Sequence, residues 1–228
     1  MNRNIEWELL SKDLIENCEI YHRCYYDKKT FSGPSLHFHK RALNASQSEK
    51  AEMVYALLVS WGMHRMGGGP QMNDFDIFSD SLADNFTAIQ ALSAKNIDDI
   101  DEDEFNLLEK VFIDLKLMKS SKKIVANSKI LAHYLPNIIA PIDNEYTFRF
   151  IFGAARSPGY WKEFELFREI HLNLVKQVIV DKRFKDSADK WLNNRMFPWD
   201  TSLPKIVDNL IIGKIGEQKR LQKRAKKH

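Results

Sequence analysis

Residues 119–149, KSSKKIVANSKILAHYLPNIIAPIDNEYTFR, carry the pattern that predicts the fold of this chain. Ile124, Val125, Leu131, Ala132 and Leu135 recur at helical spacing and predict an amphipathic helix over 122–136. Pro136 and Pro141 bound the turn that follows. Asp143 then stands where an N-cap belongs, placed to accept hydrogen bonds from the first free N–H groups of a second helix over 143–153. Lys122, Lys129 and His133 fall on a different face of the first helix from the apolar stripe. Three cationic or protonatable groups on one exposed face suit contact with phosphates. An ordinary helical hairpin with a structural aspartate accounts for the same residues.

The helical period continues on both sides. It predicts one helix over 4–27, a short one after Ser35 through Leu43, and another over 47–65. Met53 to Val59 and Trp61 make that last helix apolar almost all round, so it is expected to be central, with Leu58 and Trp61 buried. A helix from Asn73 or Asp74 through Leu92 follows. The acids from Asp98 to Glu104 then precede a helix through Leu115, where they complement its dipole without any metal. A long helix is predicted over 160–182, with Glu163, Glu165 and Glu169 on its solvated face, then a short piece around Trp191. Ser202 caps the last helix, with Pro204 in its first turn. No convincing period-two strand occurs, and glycine and proline are sparse, nine and seven. The chain reads as all-α, a compact bundle-like domain or two intimately packed helical lobes.

The 228 residues are 44% hydrophobic, with fourteen Phe, seven Tyr and five Trp, enough for a substantial core. No apolar run nears the roughly 20 residues that cross a bilayer, and MNRNIEWELLSK lacks the apolar centre of a signal peptide. A cytoplasmic protein with no membrane contact is expected. Cys18 and Cys24 make no disulfide scaffold. Cys18 and His22, with His37 and His39, have spacings a metal could use, but no CxxC or HExxH motif accompanies them. They read as a buried cysteine and surface histidines, and no cofactor is expected. Gly67-Gly68-Gly69 follows a helix and lacks the Lys-Ser/Thr of a phosphate loop, so it reads as a helix stop. No nucleophile elbow is present.

Charge is uneven along the chain. The formal net charge is +3, yet Lys214 to His228 holds seven Lys or Arg and one acid, a surplus of six that leaves about −3 for the rest. The chain therefore divides into a helical domain over 1–216 and a basic tail over 217–228. Such a tail contacts phosphate backbones or is simply a solvated helix end.

The order of lysine-bearing helix, proline turn, aspartate and new helix resembles the helix-hairpin-helix DNA glycosylase superfamily over about thirty residues. Asp143, within Pro141-Ile142-Asp143, matches the aspartate of the family's P-x-D element, which caps a helix and assists catalysis. Lys123, twenty residues earlier, falls nearest the lysine that attacks the sugar in bifunctional members. Where the family carries a glycine-rich hairpin such as L-P-G-x-G, this chain reads Leu117-Met118-Lys119-Ser120-Ser121, and no iron–sulfur cysteine cluster follows. The resemblance implies a DNA partner and an aromatic-walled pocket for a flipped base. It also implies that Asp143 stabilises positive charge on a sugar or orients water, with Lys123 as nucleophile or phosphate clamp. Phosphate contacts are then expected from Lys119, Lys122, Lys129 and His133, and from Lys219, Arg220, Lys223 and Arg224 of the tail. The alternative is a non-enzymatic helical protein that binds a protein partner. The two differ in whether Lys122, Lys123, Lys129, His133 and Asp143 line one cleft.

Overall fold

Asparagine side chains set several of the helix ends. The computed structural model describes residues 5–27, 34–64, 71–157, 159, 161–192 and 194–225. The helix expected over 4–27 is two, α1 (Trp7–Glu16) and α2 (Cys18–Tyr26). Asn17 parts them, donating from Nδ2 to the Asp13 carbonyl at 3.0 Å. The next are α3 (Pro34–Asn44) and α4 (Gln47–Ser60). The helix expected over 73–92 is also two, α5 (Phe75–Asp84) and α6 (Phe86–Leu92). Asn85 parts these by donating to the Ser81 carbonyl at 2.9 Å, and Asn44 closes α3 on the Lys40 carbonyl at 2.8 Å. In each case an asparagine amide competes for the carbonyl four residues back, which periodicity alone does not reveal.

The acid cluster before α7 (Glu102–Asp114) behaves as expected. Asp101 accepts from the Glu104 N–H and Glu104 accepts from the Asp101 N–H, a reciprocal capping box. Then come α8 (Ile124–Tyr134), a π turn (Asn144–Phe148) running into α9 (Arg149–Phe152), and α10 (Glu163–Ile170). A second π turn (His171–Val175) joins α10 to α11 (Lys176–Val180). Asp181 is extended rather than helical and caps α12 (Lys182–Trp191) through the Arg183 N–H at 2.8 Å. The last helix, α13, runs Leu203–Ala225 and passes through Gly216, so it carries the basic residues on as helix. Among the described residues there is no sheet; one antiparallel bridge joins Met72 to Met118.

The molecule is an all-α compact domain, with one apolar core that includes Leu14, Phe78, Leu108, Ile130, Phe167, Val178 and Val207. Its central helix is α8, where nine of eleven residues are buried. The helix over 47–65 is less central than its composition predicts: Leu58 is fully buried, but Val59 is 44% exposed. Trp61 lies past its end and is only half-buried, which corrects the expected burial. Gly67-Gly68-Gly69 lies outside the described residues. Among the described residues no helix is long and apolar enough to cross a membrane.

α13 packs closely against α2, and the reason is Gly213. A Cβ there would stand 2.0 Å from the Tyr21 carbonyl oxygen and 3.2 Å from the Tyr25 nitrogen. Both obstacles are backbone, so neither can rotate away. Gly213→Ala is expected to destabilise the protein by about 3 kcal/mol, the upper end for overpacking. Urea unfolding measures this, and an unchanged midpoint would show that the two helices part at no cost.

Candidate functional site

The stretch Ala140-Pro141-Ile142-Asp143 is held by side chains from three directions. The Ala140 N–H donates to His171 Nε2 at 3.1 Å, the Ile142 N–H to Ser128 Oγ at 3.0 Å, and the Asp143 N–H to Thr147 Oγ1 at 3.0 Å. Pro141 has no N–H to satisfy. Every donor of the turn therefore has a partner, which fixes the Asp143 backbone. The Asp143 side chain then divides its work. Oδ1 accepts from the Glu145 N–H at 2.8 Å, capping the next helix, and Oδ2 accepts from Lys129 Nζ at 2.9 Å.

Burial opposes ionisation of Asp143, but the Lys129 ammonium and the cap N–H groups outweigh it and hold the carboxyl below its usual range. Asp143→Ala removes the cap and leaves Lys129 without its carboxylate. The expected cost is about 1–3 kcal/mol, read by thermal or urea unfolding. Asp143→Asn keeps a cap acceptor and should lose less.

Lys129 and Asp143 open onto a cavity of about 270 Å³. Four aromatic residues line it, Trp61, Trp199, Tyr25 and Tyr146, together with four charged ones, Lys129, Asp143, Lys205 and Asp208. Lys129 Nζ sits 5.5 Å from the Trp61 ring centre, a cation–π contact that helps hold it at the rim. On the floor, Lys205 Nζ donates to Asp208 Oδ2 at 2.7 Å and also to Asn209 Oδ1, and lies 5.7 Å from the rings of Tyr25 and Trp199. Burial pushes the Asp208 carboxyl up, and Lys205 opposes that only in part. Asn209 passes the network to Asp200 at 2.7 Å, which also meets His22 Nε2 at 2.7 Å.

Behind the tryptophans lies a histidine pair whose tautomers follow from their partners. His133 Nδ1 faces the Lys129 carbonyl at 2.7 Å, so this nitrogen must donate. His133 Nε2 is then the acceptor for His39 Nδ1 at 2.9 Å. His39 Nε2 in turn accepts from the Thr201 hydroxyl at 3.3 Å. The His39 ring stacks 4.8 Å from Trp199 and lies 6.4 Å from Trp61. The pair thus holds both the walls of the cavity and the backbone of Lys129.

The sequence-predicted residues divide accordingly. Lys129 and Asp143 share the cavity, with His133 packed behind it. Lys129 and His133 are buried, not on an exposed face, because each has an internal partner. Lys123 does not stand beside Asp143: its Nζ reaches the Ile113 carbonyl, and its backbone N–H donates to Glu163 at 2.7 Å. Lys129 holds that place instead. Lys122 and Lys119 are exposed, the latter 3.5 Å from Asp74. In the tail, Lys219 pairs with Glu145, and Arg220 lies 3.7 Å from Glu217. The side chains of Lys223 and Arg224 lie outside the described residues. His22 and His39 are buried, which corrects their reading as surface histidines. Among the described residues no three His, Cys, Asp or Glu side chains converge as a metal site.

Sequence reasoning missed Ser128, His171, Trp199, Lys205 and Asp208. A signal existed for the last two: a charged pair three residues apart in the mostly apolar first half of α13. With this geometry in hand, no protein-family model, no curated protein and no solved structure matches the chain.

Proposed function

We propose that this protein binds nucleic acid and receives one unstacked base in the cavity beside Lys129 and Asp143, where the bond between base and sugar is cleaved. The observation that supports this reading is the cavity itself. It is small, aromatic-walled and edged by an ion pair, which suits one planar group carried on a charged backbone. Stacking on the half-buried Trp61 ring would offset the cost of unstacking the base. Asp143, kept ionised by Lys129, stabilises positive charge as it develops on the sugar. Water adds to the anomeric carbon, the carbon–nitrogen bond breaks with its electron pair leaving on the base, and the proton of the attacking water passes to Asp143.

The test is release of free base from oligonucleotides carrying mismatched or damaged bases, followed by chromatography. Asp143→Asn is expected to slow release roughly 100-fold or more. Borohydride reduction in the presence of abasic DNA separates two routes. A covalent adduct lost in Lys129→Met would make Lys129 the nucleophile, and release without an adduct supports water. Tight DNA binding with no release of any base removes the catalytic half of the proposal.

One observation favours the protein-partner reading. Val59, Phe75 and Ile77 are 44%, 39% and 49% exposed, where α4 and α5 pack together. Absence of binding to any nucleic acid at low salt would favour it.

A further inference from the structure

A second cleft of about 380 Å³ lies between α1, α9 and α13. Three cations line it: Arg149 from α9, and Lys214 and Lys219 from α13. Gln218 and Gln222 stand one and two turns beyond Lys214 on the same face and add amide donors. The carboxylates facing these cations are Asp13, which lies 3.3 Å from Lys214, and Glu145. Glu145 alone serves two of them, pairing with Arg149 at 3.1 Å and with Lys219. The internal charge therefore falls one short of neutrality. Arg149 is also incompletely satisfied, because its Nε is buried with no hydrogen-bond acceptor among the described residues.

The position of this cleft matters as much as its charge. Lys219 Nζ lies 5.5 Å from the ring centre of Tyr146, and Tyr146 lines the aromatic cavity. Glu145 and Asp143 belong to one cap, joined through the Glu145 N–H. Cavity and cationic cleft are thus neighbours on either side of the Asn144–Phe148 turn.

We infer that this cleft is an anchor for the phosphodiester backbone of the nucleic acid, with Arg149, Lys214 and Lys219 contacting phosphates that flank the nucleotide in the cavity. The inference rests on the nucleic-acid part of the proposed function and not on its chemistry. Glu145 acts here as an internal stand-in for phosphate: it holds Arg149 and Lys219 in place and yields them when a phosphate arrives.

The experiment is a salt titration of binding to an intact duplex, which presents phosphates but no unstacked base. Arg149→Ala/Lys219→Ala is expected to weaken binding and to lower the slope of log affinity against log salt by roughly 2, about 0.9 for each lost contact. Glu145→Gln is expected to act in the opposite direction, tightening binding at every salt concentration, because it removes the competing carboxylate. Arg149, Lys219 and Glu145 are all partly exposed, so these changes leave the core intact. Equal slopes for wild type and the double variant would overturn the inference, and so would weaker binding by Glu145→Gln. Phosphatidylserine vesicles are the second probe. Binding to them with the same dependence on Arg149 and Lys219 would assign the cleft to lipid headgroups and overturn the nucleic-acid assignment. Failure of base release with these slopes as expected removes the cavity chemistry alone.

Discussion

The protein is expected to lose stability steeply as pH falls from about 6.5 toward 4. His39, His133 and His171 are buried, and their hydrogen-bond partners suit the neutral rings. His171 Nδ1 donates to the Phe167 carbonyl at 2.7 Å, while its Nε2 accepts from the Ala140 N–H. His133 and His39 are locked as donor and acceptor in the chain that ends on Thr201. Burial lowers both His133 and His171 to about 4. His39 is lowered further, by burial first and then by His133 and Lys205. The unfolded chain takes up protons on these imidazoles near pH 6.5, and the folded chain does not. The stabilisation is therefore fully present above about pH 6.5 and declines until the folded histidines themselves titrate. A drop of two and a half pH units corresponds to roughly 3 kcal/mol for each of His133 and His171. Together that is comparable with the whole stability of a typical domain. Urea unfolding at about pH 7.5 and pH 4.5 checks it. Equal midpoints would show that these rings take up protons in the fold as readily as in the unfolded chain.

Asp208→Ala is expected to cost about 3–5 kcal/mol, because it strands the Lys205 ammonium in the interior. Lys205 is 7% exposed and Asp208 4%. Lys205 keeps Asn209 and the two aromatic rings, which places the loss nearer the lower figure. The double change Lys205→Met/Asp208→Leu removes both charges and fills their volume. It is expected to be close to neutral, since burying the pair already cost most of what their attraction returns. Thermal unfolding of the single and double variants separates these outcomes. A double variant as unstable as the single one would mean that the charges are not the cause, and that the Asn209–Asp200–His22 network depends on the shape of the floor.

The all-α architecture was legible in the sequence because helical periodicity is local, and so was Asp143 as an N-cap, because a cap joins residues two apart. The acid cluster before α7 was legible for the same reason. What local pattern could not decide was where a charged side chain ends. Lys122, Lys123 and Lys129 look alike in sequence, and only packing separates them. Lys122 meets solvent, Lys123 turns to the Ile113 carbonyl, and Lys129 is carried inside to Asp143. The asparagine breaks at Asn17, Asn44 and Asn85 lay between these extremes, since their hydrogen bonds are local but compete with a strong helical pattern. The cavity was wholly a tertiary result. Trp61, Lys129, Asp143, Trp199 and Asp208 come from α8, α13 and three connecting segments. Burying an ion pair and two histidines becomes tolerable only when those distant elements supply each polar group with its partner.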